Sequence, residues 1–331
     1  MMEELSNQLL VVTVLAYLAA MIGHAAEYAF GTRSHVGRAA LRPEAELAYA
    51  GAPATPPAAP VVSPVAAAAG PAAPRDTTGA AWAGRAAVAL YAVGVAAHTG
   101  TVVTRGLAAG RLTWGNMYEY ILTATLIAAV VWAGVLVRRP ALRHLGLYVS
   151  LVLVVLIGAA GMVAYTPVGP LVPALDSYWF VIHVAAVMIS SGIFLVGVVP
   201  ATMYLLRTGY DNGKRSFPYT LGRRAPAAAL LERLTFRMHA FAFPIWTFGA
   251  LIAGPIWAEA SWGRYWGWDP KEVWAFISWV VYAGYLHARA TPSVKRTTAM
   301  WIAIAGFVTM LMNLFGVNLF FEGLHSYADA G

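Results

Sequence analysis

The stretch from Trp262 to Trp274 reads WGRYWGWDPKEVW and sets five aromatic side chains among glycines and an acidic–basic cluster. Glycine between rings lets backbone approach a flat ligand closely and leaves neighbouring rings free to orient. Asp269-Pro270 is a strong helix start, since Asp caps a first turn and proline suits the first helical position. The spacing therefore predicts a rigid aromatic platform fastened to a helix that begins near residue 270. Such a platform suits a large planar apolar molecule. The plainer alternative is an interfacial belt, because Trp and Tyr favour the membrane headgroup level whether or not they bind anything.

Eight histidines accompany this loop. His183 follows Asp176-Ser177-Tyr178-Trp179 at the start of one apolar segment, and His325 follows the last one, in Phe321-Glu322-Gly323-Leu324-His325-Ser326-Tyr327. Under the topology argued below, both stand on the same side of the membrane as the aromatic loop. Two neutral imidazoles on opposite faces of a porphyrin would hold its iron by the axial positions; alternatively each is a polar tip among the headgroups. His287 lies far along the helix that starts after the loop, roughly 22 Å from Glu272 by the helical rise. It therefore belongs to a second, inner site, or it is a structural histidine bonded to a backbone carbonyl. His35, His144 and His239 neighbour arginines and are expected at solvated helix ends. His24 stands where it could meet His287, and His98 is expected to be buried and satisfied. Glu119, in Trp114-Gly115-Asn116-Met117-Tyr118-Glu119-Tyr120, either caps its own helix or orients a ligand group. The sequence has no P-loop, no dinucleotide-binding glycine fingerprint and no zinc-protease helix.

The elements that must position these groups follow from composition. Of 331 residues 60% are apolar and 11% charged, against about 25% charged in soluble domains. That excludes an ordinary soluble enzyme and wholesale disorder alike. There is no cysteine, hence no disulfide, thiolate-bound metal or thiol chemistry. A spanning helix needs about 20 mostly apolar residues. Eight stretches qualify: 5–29, 82–104, 117–137, 145–165, 179–206, 238–258, 272–290 and 298–319. The first does not resemble a signal peptide, since Met1-Met2-Glu3-Glu4 brings no positive charge. The expected fold is an all-α polytopic integral membrane protein of about eight transmembrane helices, with N-terminus and C-terminus outside. With that orientation only Arg105, Arg111, Arg264 and Lys271 of the 22 Lys and Arg lie on the outer side, as the positive-inside rule requires. The formal charge of +7 then faces anionic lipid at the inner surface and implies no nucleic acid. Residues 1–42 form the first span and a basic cytoplasmic turn. Residues 43–80, rich in Pro and Ala, are expected to be a disordered cytoplasmic linker. Residues 81–331 make a seven-helix domain whose outer loop covers 259–274.

The loop, together with WAFISWVVYAGYLHAR after it, NLFFEGLHSY near the end, DSYWFVIHV upstream and GNMYEY at the third span, resembles the tryptophan-rich haem-handling ("WWD") proteins. The combination is similar to the CcsA/ResC type of system II cytochrome c biogenesis, over about residues 82–327. The resemblance implies that His183 and His325 are axial ligands of an outward-facing haem b. It implies that Trp262, Trp266, Trp268 and Asp269 form the floor under that haem, and that His287 is one ligand of a transmembrane haem. The second transmembrane ligand would come from a CcsB/ResB-type membrane partner. The implied activity is presentation of haem at the outer face of the cell membrane for covalent attachment to the CxxCH motif of apocytochrome c, as a subunit of a holocytochrome c synthase. A thioredoxin-like thiol reductant would serve indirectly by keeping the substrate's cysteines reduced. No side chain stands out as a catalytic acid or base. Competing readings are a haem exporter or presenter to a haem chaperone, and a di-haem quinol oxidoreductase.

Overall fold

The computed structural model describes residues 1–30 and 79–325. The described residues are helical, with no strand among them. In chain order the helices are α1 (Met2–Phe30), α2 (Gly79–Ala109), α3 (Met117–Arg138), α4 (Gly146–Val163), α5 (Tyr178–Asp211), α6 (Ala228–Phe248), α7 (Gly254–Trp262), α8 (Pro270–Ala290), α9 (Arg296–Leu311) and α10 (Val317–Phe320). Five-residue π-helical segments join α6 to α7 (Gly249–Ala253) and α9 to α10 (Met312–Gly316). The Pro/Ala-rich linker lies outside the described residues except for Gly79 and Ala80, which open α2. His35 and everything after His325 also lie outside them.

Seven of the helical stretches are long and apolar enough to cross a membrane: α1, α2, α3, Pro140–Val163, α5, Ala228–Trp262 and Arg296–Phe320. The chain is a multi-pass membrane protein. The remaining expected span, 272–290, is present as α8, a 21-residue helix. It falls outside that set on composition, because Lys271, Glu272, His287 and Arg289 load its ends and Ser278, Tyr282 and Tyr285 lie buried along it. At about 1.5 Å per residue it is nevertheless roughly 31 Å long, and it packs against α9 and α6.

α5 is the axis of the molecule, in contact with α3, α6, α7 and α9. Its middle, from Ser190 to Ala201, is buried on every side, as a helix apolar all round should be when protein rather than lipid surrounds it. On one flank α1 and α2 pack closely along their length. Gly94 makes this possible, since a Cβ there would sit 2.6 Å from the Tyr17 ring. Where α2 ends and α3 begins, a buried ion network ties the chain together. Arg105, fully buried, donates from Nε to Glu119 Oε1 at 3.2 Å, while Arg111 Nη1 meets Glu119 Oε2 at 2.7 Å. Arg105 also binds the Thr166 carbonyl. Losing one partner of such a network costs about 3–5 kcal/mol. Glu119 thus receives two arginines, and it adds an acceptor for Gly115 N–H at 2.8 Å. The helix is capped instead by Asn116, whose Oδ1 accepts from Glu119 N–H at 2.9 Å.

The fold departs from expectation at two histidines. His144 and His239 are buried rather than solvated. α6 begins at Ala228, well before residue 238, because Glu232, Arg233 and Arg237 depress the hydropathy of its first turns without breaking the helix. His239 therefore lies three turns in, with its Nδ1 donating to Thr235 O at 2.8 Å and its ring against Phe194, Tyr282 and Tyr285. His144 sits in a 3₁₀ turn over Pro140–Leu145 that folds against α1, where neighbouring Arg143 pairs with Glu27. His24 is buried against Gly146 of the same corner. His98 is buried with Nδ1 3.4 Å from the Tyr17 hydroxyl.

Candidate functional site

A cavity opens between α3, α5, α7, α8 and the end of α9. Its wall runs along α5 from His183 to Leu195, about 18 Å by the helical rise. It is mostly apolar, with Tyr120, Val187, Trp246, Phe307 and Leu314 among its lining. Both π segments border it, through Ala250 and through Asn313 and Leu314. A π turn widens the helix and shifts its carbonyls out of the usual register. Here each shifted stretch offers a carbonyl to a side chain of the cavity.

The first such carbonyl is that of Gly249, 2.8 Å from His183 Nδ1. A carbonyl only accepts, so Nδ1 carries the proton and Nε2 of the neutral ring keeps its lone pair. Gly254 leaves room for this arrangement, because a Cβ there would lie 3.1 Å from His183 Nδ1. The imidazole stacks on the buried indole of Trp257, with centroids 5.5 Å apart and planes 15° from parallel. Trp257 is fixed in turn by its Nε1 donating to Ala174 O at 2.9 Å.

His325 arrives from the opposite end of the chain and is held by the same logic. Its Nδ1 lies 2.8 Å from Asp269 Oδ1, again leaving Nε2 free. Its ring meets Trp257 edge-on at 5.3 Å and Trp262 at 4.7 Å. Both imidazoles therefore touch one indole, and both line the cavity. Two histidines, each with Nδ1–H committed to a carbonyl or carboxylate and Nε2 available, are arranged as metal-ligating histidines are.

The loop between α7 and α8 is organised by its two carboxylates. Asp269 caps α8, accepting from Lys271 N–H at 3.1 Å, while Oδ2 accepts from Leu324 N–H at 2.7 Å. Glu272 closes the capping box, its Oε2 accepting from Gly267 N–H at 2.8 Å and Asp269 N–H at 3.1 Å. These two bonds bracket Trp268, which sits at φ 58°, a region bulky residues rarely adopt. Burial opposes ionisation of Asp269, but the hydrogen bond from His325 and those from two backbone N–H groups outweigh it and hold the carboxyl below its usual value.

The expected site residues thus separate. His183, His325 and Trp266 line the cavity. Trp262 supports His325 from the side, and Asp269 orients it. Trp268 points outward, 70% exposed, with its ring edge-on to Trp266 at 5.8 Å. His287 stands apart near the C-terminal end of α8, exposed, its imidazole without a partner among the described residues. Glu119 is committed to arginines and lies off the cavity. Sequence reasoning missed Trp257, which joins the two histidines, and Lys271, which lines the cavity. Trp257 hides within an apolar span; its signal was the pairing with Trp262, both on the last turns before the loop.

A family model described as cytochrome C assembly protein matches residues 114–325. Among curated relatives, "Cytochrome c biogenesis protein CcsA" of Guillardia theta is 34% identical, covering 68% of this chain and 79% of its own length. The protein of that name from Gloeobacter violaceus is 31% identical, over 73% of this chain and 84% of its own length. That of Cyanophora paradoxa is 30% identical, over 68% and 82%.

Proposed function

This chain belongs to the cytochrome c assembly protein family, in its CcsA type, and from that membership we propose that it holds haem at the outer membrane face and presents it for attachment to apocytochrome c. Its role is in cytochrome c biogenesis. The observation that carries the haem reading is the pair His183 and His325: each Nδ1–H is spent, each Nε2 is free, and both rings rest on Trp257. Haem b fits the donor set, since neutral imidazoles suit iron and the cavity wall is apolar and aromatic, as a porphyrin face requires. Bound there, haem supplies the iron and the vinyl groups that accept the thiols of a CxxCH sequence. The chain's own residues bind, orient and shield. Gly249 and Asp269 fix the two imidazoles, and Trp257, Trp262 and Trp266 keep water from one end of the cavity. A CcsB/ResB-type membrane protein is the proposed partner, docking where His287 is exposed. Thioether formation needs the substrate's thiols rather than the chain's, which suits a protein without cysteine.

The direct test is the visible spectrum of the full chain purified in detergent. A low-spin bis-histidine spectrum is expected, and Trp257→Ala should lower haem retention more than Trp301→Ala, because Trp301 is an exposed side chain of α9 away from the cavity. An aromatic contact contributes about 0.5–1.5 kcal/mol beyond its area, so a difference of several-fold is expected. Equal retention in the two variants would count against a haem seated on the Trp257–histidine cluster.

Topology is tested separately. Arg105 and Arg111, two of the four basic residues expected on the outer side, share the single carboxylate of Glu119, and the other eighteen Lys and Arg set the inward bias. A reporter fused after Gly331 should report an exoplasmic location. A cytoplasmic signal would place the cavity mouth on the wrong side for an exported substrate.

A further inference from the structure

The cavity carries one cation that its own wall does not neutralise. Five charged or amide side chains line it: Asn116, Lys271, Glu272, Asn313 and Asn318. Three are spent locally. Asn116 caps α3, Glu272 closes the α8 capping box, and Asn318 Nδ2 bonds the Leu314 carbonyl and meets Met117 Sδ at 3.2 Å. Lys271 makes no ion pair among the described residues. Its Nζ reaches only the carbonyl of Asn313, in the second π segment, at 3.4 Å, the outer limit of a hydrogen bond. The carboxylates beside it in sequence are both engaged, Asp269 with His325 and two backbone N–H groups, Glu272 with two others. The side-chain Oδ1 of Asn313 is buried with no partner. That oxygen only accepts and offers an anion nothing, so what remains for a carboxylate is the ammonium of Lys271, on the α8–α9 wall of a mostly apolar cavity.

We propose that Lys271 is the carboxylate-recognition point of this cavity and takes a propionate of the bound porphyrin. The assignment rests on the haem reading above and deepens it. Propionates and vinyls occupy opposite edges of protoporphyrin, so anchoring a propionate on α8 and α9 directs the vinyl edge away from that wall. Lys271 becomes a positioning residue: it touches the porphyrin rim, not the reacting carbons, and determines which edge the substrate's thiols meet.

The test uses the full chain in detergent, titrated with ferric protoporphyrin IX and, separately, with its dimethyl ester, following the Soret band. The wild type should prefer the diacid by about tenfold, the usual size of one charge-assisted hydrogen bond in a partly buried site. Lys271→Met should bring the ratio of the two affinities near one by weakening the diacid alone, while Lys271→Arg keeps the preference. Ester binding at wild-type strength certifies that the Met variant is folded. An unchanged ratio in Lys271→Met overturns the proposal. So does equal weakening of both porphyrins, which makes Lys271 part of the framework. If the wild type binds neither porphyrin, the haem reading itself has failed, an outcome distinct from the other two.

Discussion

Replacing His183 or His325 with glycine is expected to strip the full chain of most of its haem and to halt cytochrome c maturation when it is co-expressed with its partner and an apocytochrome. The loss should exceed the 10–100-fold that removal of an orienting group behind a metal ligand typically costs, roughly speaking, because here the ligand itself goes. Added imidazole should restore part of the function in both variants, for a structural reason. The carbonyl of Gly249 and the carboxylate of Asp269 remain in place, so a free imidazole can donate one N–H to either and turn its other nitrogen to the iron. Trp257 would still offer the face on which the His183 ring stacked. Asp269→Asn should fall between wild type and His325→Gly, since it keeps an acceptor oxygen but removes the charge. Normal maturation in both glycine variants would remove the ligand assignment, and a rescue seen in neither would show that the holes collapse.

The elements that place these residues were legible to different depths, for physical reasons. Long apolar runs announce spanning helices, and α1 to α5 stand close to where hydropathy puts them. Helix ends fared worse wherever charged residues continue a helix past the hydrocarbon. Ala228–Phe236 is helical because nothing there breaks a helix, yet Glu232, Arg233 and Arg237 read as loop, and so His239 looked solvated. α8 shows the converse difficulty. It must carry site residues at its N-terminal end and polar residues through its middle, so its composition is that of a cavity wall rather than a lipid-facing span. The π segments were illegible, because one extra residue in a helical turn leaves no mark on an apolar pattern. Gly249 and Gly254 were their only trace, and they matter through close approach to α5. Asp269 was readable as a helix cap, from Asp-Pro and the Glu272 that follows. Its second task, holding an imidazole that lies 56 residues away in sequence, is a tertiary fact that no local pattern encodes. The same distinction separates the tryptophans: spacing marked Trp266 and Trp268 alike, and only the backbone turn at Trp268 sends one into the cavity and the other outward.

His287→Gly should behave unlike either outer variant. The helix that carries it runs unbroken from Pro270 to Ala290, so His287 stays roughly 22 Å from Glu272 and cannot share an iron with His183 and His325. Its ring is exposed and unpartnered, while the next polar residue, Arg289, is paired with Glu232 at 2.8 Å. An imidazole left open on an exposed helix face can take a ligand shared with another protein. If its task is to hold haem on the way to the outer cavity, removing it should starve that cavity without altering the ligand set there. In the variant co-expressed with the CcsB/ResB-type partner, total bound haem should fall by more than half, since the inner pool is lost and the outer one is fed more slowly. Haem that does reach the outer cavity should still show the bis-histidine spectrum of His183 and His325. If the opposite ligand is the partner's, imidazole should restore haem content only when the partner is present. A change in the axial ligation of the outer haem would collapse the two sites into one. Unchanged haem content and maturation would make His287 a structural residue at the inner headgroups, and the route by which haem reaches the outer cavity would then have to bypass α8.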